Sequence, residues 1–429
     1  MNPPSIYLPK MSKKVFVLII LISLSLRIFI SFLVWHPDLN NHIDWGIRFF
    51  EYGASKFYAP ESNVWSFTWP NQPPGTMYMF AGIRKVFEFV FNFFWQININ
   101  VPAFPSIIIS YFETNLYPAL LKLPAILSDF GIAYLIYKWT NKKWAGILWL
   151  VNPIVWYNSA VWGQYDAVIN FFALLAFYLL FKKKLVLSLL FLVLSFYIKA
   201  SLLIFAPIWL IIAIKQRYKL ITYVRAVFVT LVVICLLTIP FTDKNPLIWL
   251  YELYSKKIFV QQLHIITANA FNLWAGIAGI HERPDSLPFL GLSYRLWSYI
   301  LYTIFYIPLL FRLLRMRFIN HQSLIINLVF SLALTAFASF TLLTNMHERY
   351  LYPLFPYLTI LLATGTIGNW YYWVICGIGL LNLYNFWFVP RIEPIVTFLS
   401  FSDRLMPRIL GLLVFGMFLK LYWRYNKST

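Results

Sequence analysis

Charged side chains are scarce in this sequence, and acidic ones are the scarcest. Only 12% of the 429 residues are charged, and 15 Asp and Glu stand against 35 Lys and Arg. A soluble protein of ordinary composition has about 25% charged residues, roughly twice this fraction. Hydrophobic residues make up 61% of the chain, and many stretches approach the ~20 apolar residues that span a bilayer. The sequence therefore predicts an all-α, polytopic integral membrane protein.

The sequence lacks the residues that several kinds of functional site require. The two cysteines, Cys235 and Cys376, both lie in apolar stretches and provide neither a disulfide framework nor a metal spacing. The sequence has no glycine-rich phosphate loop, no cluster of cysteine and histidine, and no serine-nucleophile elbow. His347 does not begin a zinc-protease motif, because residue 351, where the second histidine belongs, is Leu351. We expect no metal and no cofactor.

The basic residues form short clusters between the apolar stretches. The clusters lie at 13–14, 138–143, 182–184, 215–225, 312–317 and 420–427. Such clusters mark cytoplasmic loops, and their wide spacing provides no basic face for nucleic acid. They predict both termini inside. No low-complexity linker divides the chain, which predicts a single domain over residues 1–429. The long loops 36–72 and 241–290 then lie outside, as does the loop 390–407, and the outer segments and their edges hold most of the acidic residues and nearly all the histidines.

Hydropathy and charge together predict about 12–14 transmembrane helices. The predicted spans are 14–35, 73–95, 104–121, 122–138, 144–161, 166–181, 185–199, 201–214, 221–240, 291–311, 322–344, 351–368, 370–389 and 408–422. Charge placement requires an odd number of crossings between residue 72 and Lys138. We expect three, and one crossing plus a re-entrant segment is the alternative. Segment 264–280 is interpreted as interfacial or half-inserted.

Asp38 follows the first predicted exit from the membrane. After it, segment 39–53 has helical spacing with Ile43, Ile47 and Phe50 on one side, which predicts a helix lying on the membrane. A carboxylate held at that boundary can take a proton from an incoming hydroxyl as a general base. The other interpretation is that Asp38 is only the N-cap of this helix.

Lys122 and Asp129 are two helical turns apart and share one helix face. Asp129 lies inside an apolar run, where an unpaired charge costs about 2.5–3.5 kcal/mol, so it must find a donor within the protein. A structural hydrogen-bond role and a functional role are both open for it.

Two further polar sites lie at short predicted outer turns. Gln164 and Asp166 gather around the turn at Gly163. Lys199 is a lone cation in a very short turn, and it either extends to the interface or contacts a phosphate.

The run His347, Glu348 and Arg349 stands between two long apolar stretches. His347 and Arg349 are both possible phosphate ligands, because the planar fork of arginine suits phosphate oxygens. The alternative is a structural salt bridge between Arg349 and Glu348 or another acid.

Five motifs in one order resemble the polyprenol-dependent membrane glycosyltransferases of the GT-C fold. The resemblance is strongest to prokaryotic relatives of GPI mannosyltransferase II and of the dolichyl-phosphate-glucose-dependent glucosyltransferases. The motifs are Asp38 with Trp45, Gly53, FY at 57–58 and NQPPG at 71–75; KLPAILSD at 122–129; NP and SAVWGQYDA within 152–167; NAFNLW at 269–274; and HERYL at 347–351. The chain departs from the family at Asn71 and Gln72, which replace an aromatic residue, and at Ala200, which replaces a proline.

The resemblance implies a GT-C fold with interfacial helices in the first outer loop. It also implies inverting transfer of a hexose, mannose or glucose, from a polyprenyl-phosphate sugar to a lipid-linked or cell-surface glycan. The reaction would take place on the non-cytoplasmic side of a prokaryotic inner membrane, with membrane lipids as partners and no nucleic acid. The implied roles are Asp38 as base; His347, Arg349 and Lys199 on the donor phosphate; Asp44, Gln164, Asp166, Glu348, Asn269 and Asn272 on sugar or acceptor; and Lys122 and Asp129 as structural or unassigned.

Two other functions are considered. A non-enzymatic flippase for lipid or polysaccharide needs cations along a path through the membrane, and charge within the predicted spans is sparse. A polysaccharide polymerase or ligase with a diphosphate donor would carry more arginines on the outer side.

Overall fold

The computed structural model describes residues 12–59, 64–260, 263–316 and 321–427. Parts of several predicted segments lie outside these residues: the two chain ends, residues 60–63 and 261–262 of the two long outer loops, and Arg317 of one basic cluster. Within the described residues the fold is all-α with one two-stranded hairpin, and the predicted fold class is confirmed to that extent.

The chain forms a succession of helices joined mostly by short connections. The helices are α1 (Lys13–Leu33), α2 (Leu39–Tyr52), α3 (Pro74–Asn100), α4 (Ile107–Leu121), α5 (Leu123–Thr140), α6 (Lys143–Val151), α7 (Pro153–Trp156), α8 (Asp166–Phe181), α9 (Leu185–Ile198), α10 (Ala206–Lys215), α11 (Leu220–Thr238), α12 (Pro246–Leu253), α13 (Leu273–Ala278), α14 (Tyr294–Arg315), α15 (His321–Leu342), α16 (Leu354–Ala363), α17 (Asn369–Tyr384) and α18 (Glu393–Lys427). Short 3-10 or π-helical segments lie at Ala54–Lys56, Tyr157–Trp162, Ala200–Phe205, Ile239–Phe241, Tyr254–Ile258 and Glu348–Leu351. The hairpin pairs β1 (Pro288–Phe289) with β2 (Leu292–Ser293).

Six helical stretches among the described residues are long and apolar enough to cross a membrane. They are Lys14–Leu33, Ile107–Thr140, Leu220–Phe241, Tyr294–Arg315, Ile325–Leu342 and Glu393–Lys427. Shorter apolar helices lie at Asp166–Phe181, Leu185–Ile198 and Ala200–Lys215. These helices support a membrane protein, and the total of 12–14 crossings stays a prediction.

The predicted spans 104–121 and 122–138 form one helical stretch, so three separate crossings before Lys138 are wrong. The backbone of Lys122 is helical (φ −82°, ψ −18°), and the chain does not turn back between α4 and α5. Tyr111 in α4 donates a hydrogen bond to the carbonyl of Phe32 at 2.7 Å, and Lys122 donates to that of Val34 at 2.6 Å. Because both contacts reach the end of α1, α4 lies across that end. The alternative of one crossing, with α3 and α4 as a re-entrant hairpin, fits the structure. Apolar composition alone does not reveal a helix's direction.

The predicted helix over 39–53 is present as α2, and its position on a membrane stays a prediction. Leu39, His42 and Trp45 are buried, whereas Phe50 is 44% exposed. The buried face is the one that packs against α3 and α4. Spacing predicted the helix correctly, and the neighbouring helices determine which side faces the protein.

Asp129 finds its donors inside the bundle, as its position in an apolar run requires. Its carboxylate accepts hydrogen bonds from Ser159 at 2.6 Å and Tyr352 at 2.9 Å and lies 3.7 Å from Arg27 of α1. Lys122 also faces α1, where its ammonium group donates to the carbonyl of Val34. Asp129 and Lys122 therefore tie α5 to α1, which favours the structural role for both.

The basic clusters meet one another at one end of the bundle. Lys143 lies 5.6 Å from the ring of Phe16, Lys215 donates to the carbonyl of Met316 at 2.6 Å, and Arg312 donates to Asn426 at 3.0 Å. From this end α1 runs to Asp38, so Asp38 lies at the opposite end. The separation of charge predicted from the sequence is present in the fold.

Segment 264–280, predicted to be interfacial or half-inserted, packs within the protein and is helical only in α13. Ala268 and Asn269 form isolated β-bridges with His347. Trp274 is buried and donates to the carbonyl of Leu342 at 2.7 Å. The segment thereby brings Asn269 beside His347.

Candidate active site

A cavity of about 760 Å³ lies at the end of the bundle opposite the basic clusters. Its volume is in the range of ligand-binding sites, and its lining is mainly polar. Six of the residues predicted for the site line it: Asp38, Gln164, Asn269, His347, Glu348 and Arg349. The fold thus brings together residues from four of the five sequence motifs.

Asp38 stands between α1 and α2 with its side chain in the cavity. It occupies the N-cap position of α2 but makes no side-chain capping hydrogen bond, and its own backbone is helical. One carboxylate oxygen accepts a hydrogen bond from the Gln164 amide and lies 3.5 Å from Arg349. The other accepts from Asn41 at 3.3 Å. The interpretation of Asp38 as only an N-cap is therefore wrong.

His36, which sequence reasoning missed, holds the backbone of Asp38. Its Nδ1 accepts a hydrogen bond from the Asp38 amide at 3.1 Å, so its proton is on Nε2. The ring lies between Trp162, at 4.3 Å between centroids, and Trp387, at 4.8 Å. Burial lowers the pKa of His36 to about 3, and the ring is neutral at pH 7. The sequence signal was its position directly before Pro37 and Asp38.

The Asp38 carboxyl is ionised at neutral pH. Burial by itself would raise its pKa, but the positive charge of Arg349 lowers the pKa below its ordinary value. Burial by itself would lower the pKa of Arg349, and the Asp38 carboxylate raises it instead. Each charge therefore stabilises the other in a partly enclosed site.

Arg349 is positioned by the 3-10 turn Glu348–Leu351. One terminal nitrogen lies 3.5 Å from Asp38 and 3.5 Å from Glu348. These are long for charge-assisted hydrogen bonds. Its Nε is buried and has no hydrogen-bond partner among the described residues. The predicted ion pairing with an acid is present, and it leaves a donor unused.

Glu348 is buried and His347 is half-buried beside Arg349. Burial, followed by the charge of Arg349, lowers the pKa of His347 to about 3. His347 can therefore donate one hydrogen bond at neutral pH, but it brings no charge. Burial raises the pKa of Glu348, whose carboxylate accepts from Trp387 at 3.3 Å.

Lys199 and Asp166 form a buried ion pair beneath the cavity and do not line it. Their side chains are 2.6 Å apart and each is 5% exposed. The ammonium group lies 5.2 Å from the ring of Tyr165 and 5.4 Å from that of Tyr350, and both tyrosines line the cavity. Extension of Lys199 to the interface is wrong, and its predicted contact with phosphate is not supported by this position. Asp166, which was predicted to contact sugar or acceptor, is instead paired with Lys199.

Asp44 and Asn272 also lie outside the cavity lining, contrary to their predicted role on sugar or acceptor. Asp44 accepts from Arg48 at 2.8 Å and from the amide of Ser66 at 3.0 Å, which fixes the first loop. Asn272 caps α13 by accepting from the amide of Ala275 at 3.0 Å. Their polar groups are used in local folding.

Two more cavity residues were missed from the sequence. Trp387 follows α17, and Arg404 lies at the interruption of α18. The only signal for Arg404 was the polar run Ser402 to Arg404 inside an otherwise apolar stretch. Neither residue belongs to a motif.

No protein-family model and no curated protein matches the chain. Among the described residues, no group of three or more His, Cys, Asp or Glu side chains is arranged to hold a metal ion. The site is therefore interpreted from its own geometry.

Proposed function

We propose that this protein is an inverting glycosyltransferase that uses a polyprenyl-phosphate sugar, as the GT-C resemblance implies. The transferred sugar is a hexose, mannose or glucose, and the acceptor is a hydroxyl of a lipid-linked or cell-surface glycan. The observation that carries the proposal is the pairing of Asp38 with Arg349 at 3.5 Å in a polar cavity of about 760 Å³. This pairing combines a candidate base and a candidate phosphate ligand at one site.

The acceptor hydroxyl gives its proton to Asp38 while its oxygen forms a bond to the anomeric carbon. The bond from that carbon to the phosphate oxygen breaks on the opposite face, and its electron pair goes to the phosphate. Polyprenyl phosphate leaves with one additional negative charge, and the sugar carbon is inverted. Arg349 stabilises the developing charge, and His347 donates a neutral hydrogen bond.

The amide and carboxylate groups around Asp38 suit a sugar with many hydroxyls. Gln164 contacts Asp38 directly, and Asn41 donates to its other oxygen at 3.3 Å. Amide side chains both donate and accept hydrogen bonds. They therefore orient the hydroxyl that Asp38 must deprotonate, and Asn269 and Glu348 supply further polar contacts.

The cavity faces the non-cytoplasmic side of the membrane in this proposal. The basic clusters meet at the other end of the bundle, as the contact of Lys215 with Met316 illustrates, and positive clusters favour the cytoplasm. The three shorter apolar helices also cross in this proposal, as do α6, α16 and α17, which gives about 12 crossings with the six long stretches, while α3 and α4 stay on the outer side. A prokaryotic inner membrane is the proposed location.

A donor-swap assay tests the function. The purified protein in nanodiscs is supplied with polyprenyl-phosphate mannose, glucose or arabinose and a glycolipid acceptor, and products are separated by mass spectrometry. We expect transfer from one hexose donor and none from the variant Asp38→Asn. Use of a diphosphate donor alone, or movement of intact lipid without glycosidic bond formation, would replace the proposal with a ligase or a flippase.

A further inference from the structure

Arg404 reaches the cavity because α18 is interrupted. Ser402, Asp403 and Arg404 have φ values of 46°, 54° and 59°. Left-handed backbone is unfavourable for residues that carry a Cβ, and three such residues in succession end the regular helix. Arg404 at this interruption lines the cavity together with Asp38 and Arg349.

Arg404 has no carboxylate partner within the part of the chain that the structure describes. Its guanidinium donates to the side-chain oxygen of Asn269 at 3.3 Å and lies 5.7 Å from the centroid of the Phe386 ring. The neighbouring Asp403 is paired instead with His281, at 3.4 Å. Arg349, by contrast, faces two carboxylates. Arg404 is therefore the cavity arginine whose charge is left for a ligand.

Asn269 connects Arg404 to the other phosphate candidates. Its backbone pairs with His347, and its carbonyl accepts from Asn382 at 2.8 Å. Asn269 thus holds Arg404 beside the segment that carries His347 and Arg349. The guanidinium of Arg404 is positioned by these contacts before any ligand binds, which reduces the ordering cost of binding.

An inverting displacement separates the base from the leaving group. The base lies about 2.7 Å from the acceptor oxygen, and that oxygen approaches within about 3–3.5 Å of the reacting carbon. The leaving oxygen is on the far side of the carbon, so it lies more than about 6 Å from the base. Arg349 contacts Asp38 and so reaches the phosphate from the side of the base. A second cation farther from Asp38 would bind the far side of the leaving group.

We propose that Arg404 binds the phosphate of the polyprenyl-phosphate donor, beyond the sugar from Asp38. The inference rests on the proposed transferase function. Its guanidinium fork matches two phosphate oxygens and stabilises the charge that the leaving oxygen gains. An anionic phosphate of a lipid-linked acceptor has the same chemistry, and the experiment separates the two sources.

The experiment compares Arg404→Gln and Arg404→Lys with Arg391→Gln. Arg391 is exposed, is paired with Glu393 at 2.5 Å and does not line the cavity, so its variant controls for loss of one positive charge. The measurements are donor and acceptor KM values, kcat, and the inhibition constant of undecaprenyl phosphate. A thermal unfolding curve for each variant shows whether it is folded.

We expect Arg404→Gln to raise the donor KM and the inhibition constant of undecaprenyl phosphate by about tenfold or more, as for loss of a charge-assisted hydrogen bond. Arg404→Lys keeps the charge and should lie between this variant and the wild type. The acceptor KM should not change. A raised acceptor KM with an unchanged inhibition constant assigns Arg404 to the acceptor and overturns the inference, as does no change in either.

A second variant keeps Arg404 in place and supplies a counter-ion. Asn269→Asp puts a carboxylate at the position that now accepts from Arg404, and aspartate tolerates the left-handed backbone of residue 269 (φ 61°). We expect weaker inhibition by undecaprenyl phosphate, and undiminished inhibition contradicts the inference. If the wild type transfers no sugar from any donor, the proposed function itself fails. If it transfers sugar and the Arg404 variants match it, only this inference fails.

Discussion

The carboxylate of Asp38 lies 3.5 Å from the guanidinium of Arg349, at the meeting point of the loop after α1 and the turn after α15. This contact makes Asp38 a stable anion and holds Arg349 in the cavity. It also weakens Asp38 as a base, because a lower pKa means a smaller drive to accept a proton. If the proposed function holds, a donor phosphate that draws Arg349 toward itself relieves this effect, and we expect donor binding to increase the basicity of Asp38.

Asp38→Asn should give a folded protein with transfer lowered about 10²-fold or more, the size of a general-base contribution. Asparagine accepts hydrogen bonds but does not remove a proton at neutral pH. The measurement is the initial rate at saturating donor, together with thermal unfolding.

Asp44→Asn is the matched control for Asp38→Asn. Asp44 holds Arg48 and the amide of Ser66, so its loss should lower stability more than it lowers the rate at saturating donor. A folded, inactive Asp44 variant beside an active Asp38 variant would reverse the assignment of the base.

Arg349→Gln should move the acidic limb of kcat/KM to higher pH. Arg349 lowers the pKa of Asp38, while burial raises it. Without the guanidinium, burial dominates and the pKa of Asp38 rises, so the base becomes protonated at a higher pH. The measurement is kcat/KM between pH 4 and 9, with Arg391→Gln as control. If the acidic limb does not move, the ionisation seen in the pH profile does not belong to Asp38.

Lys199→Met should destabilise the protein by about 3–5 kcal/mol, because it leaves the charge of Asp166 buried without its partner. The double variant with Asp166→Leu should recover much of that loss, since it removes both charges. Chemical denaturation in detergent measures the free energy of unfolding of each variant.

A phosphate role for Lys199 makes a different prediction. The double variant would then be stable but would bind undecaprenyl phosphate at least about tenfold more weakly. If the double variant binds undecaprenyl phosphate as well as the wild type does, Lys199 is not a phosphate ligand. Its role is then structural, beside Tyr165 and Tyr350.

Single cysteines at exposed positions should report the orientation. Ser55→Cys and Ser286→Cys, in the two predicted outer loops, should react with an impermeant thiol reagent in intact cells, and Lys182→Cys should not. The background replaces Cys235 and Cys376 by serine. Ser286 is chosen instead of its neighbour Asp285 because Asp285 is buried and lies 2.5 Å from Arg295. Reaction at 182 with none at 55 would put the cavity on the cytoplasmic side.

The sequence by itself determined features that depend on neighbouring residues. The length of apolar runs predicted most helices, and helical spacing predicted α2 after Asp38. The positions of the basic clusters predicted that they would gather at one end, where Lys143 and Phe16 now meet. The apolar length of a segment and the charges beside it decide whether and in which direction that segment enters a membrane. Both properties can be read from the segment itself, without knowledge of the rest of the chain.

Only the tertiary structure decided which polar groups meet. Lys199 and Asp166 looked like ligands, but packing brought them together below the cavity at 2.6 Å. Arg404 belonged to no motif, yet the interruption of α18 placed it in the lining. A buried charge must be paired or solvated, and whether its partner is a side chain or a ligand depends on segments that are distant in the sequence, 33 residues apart for Lys199 and Asp166 and 135 for Arg404 and Asn269. Local pattern does not contain that information, because helix packing sets the contacts.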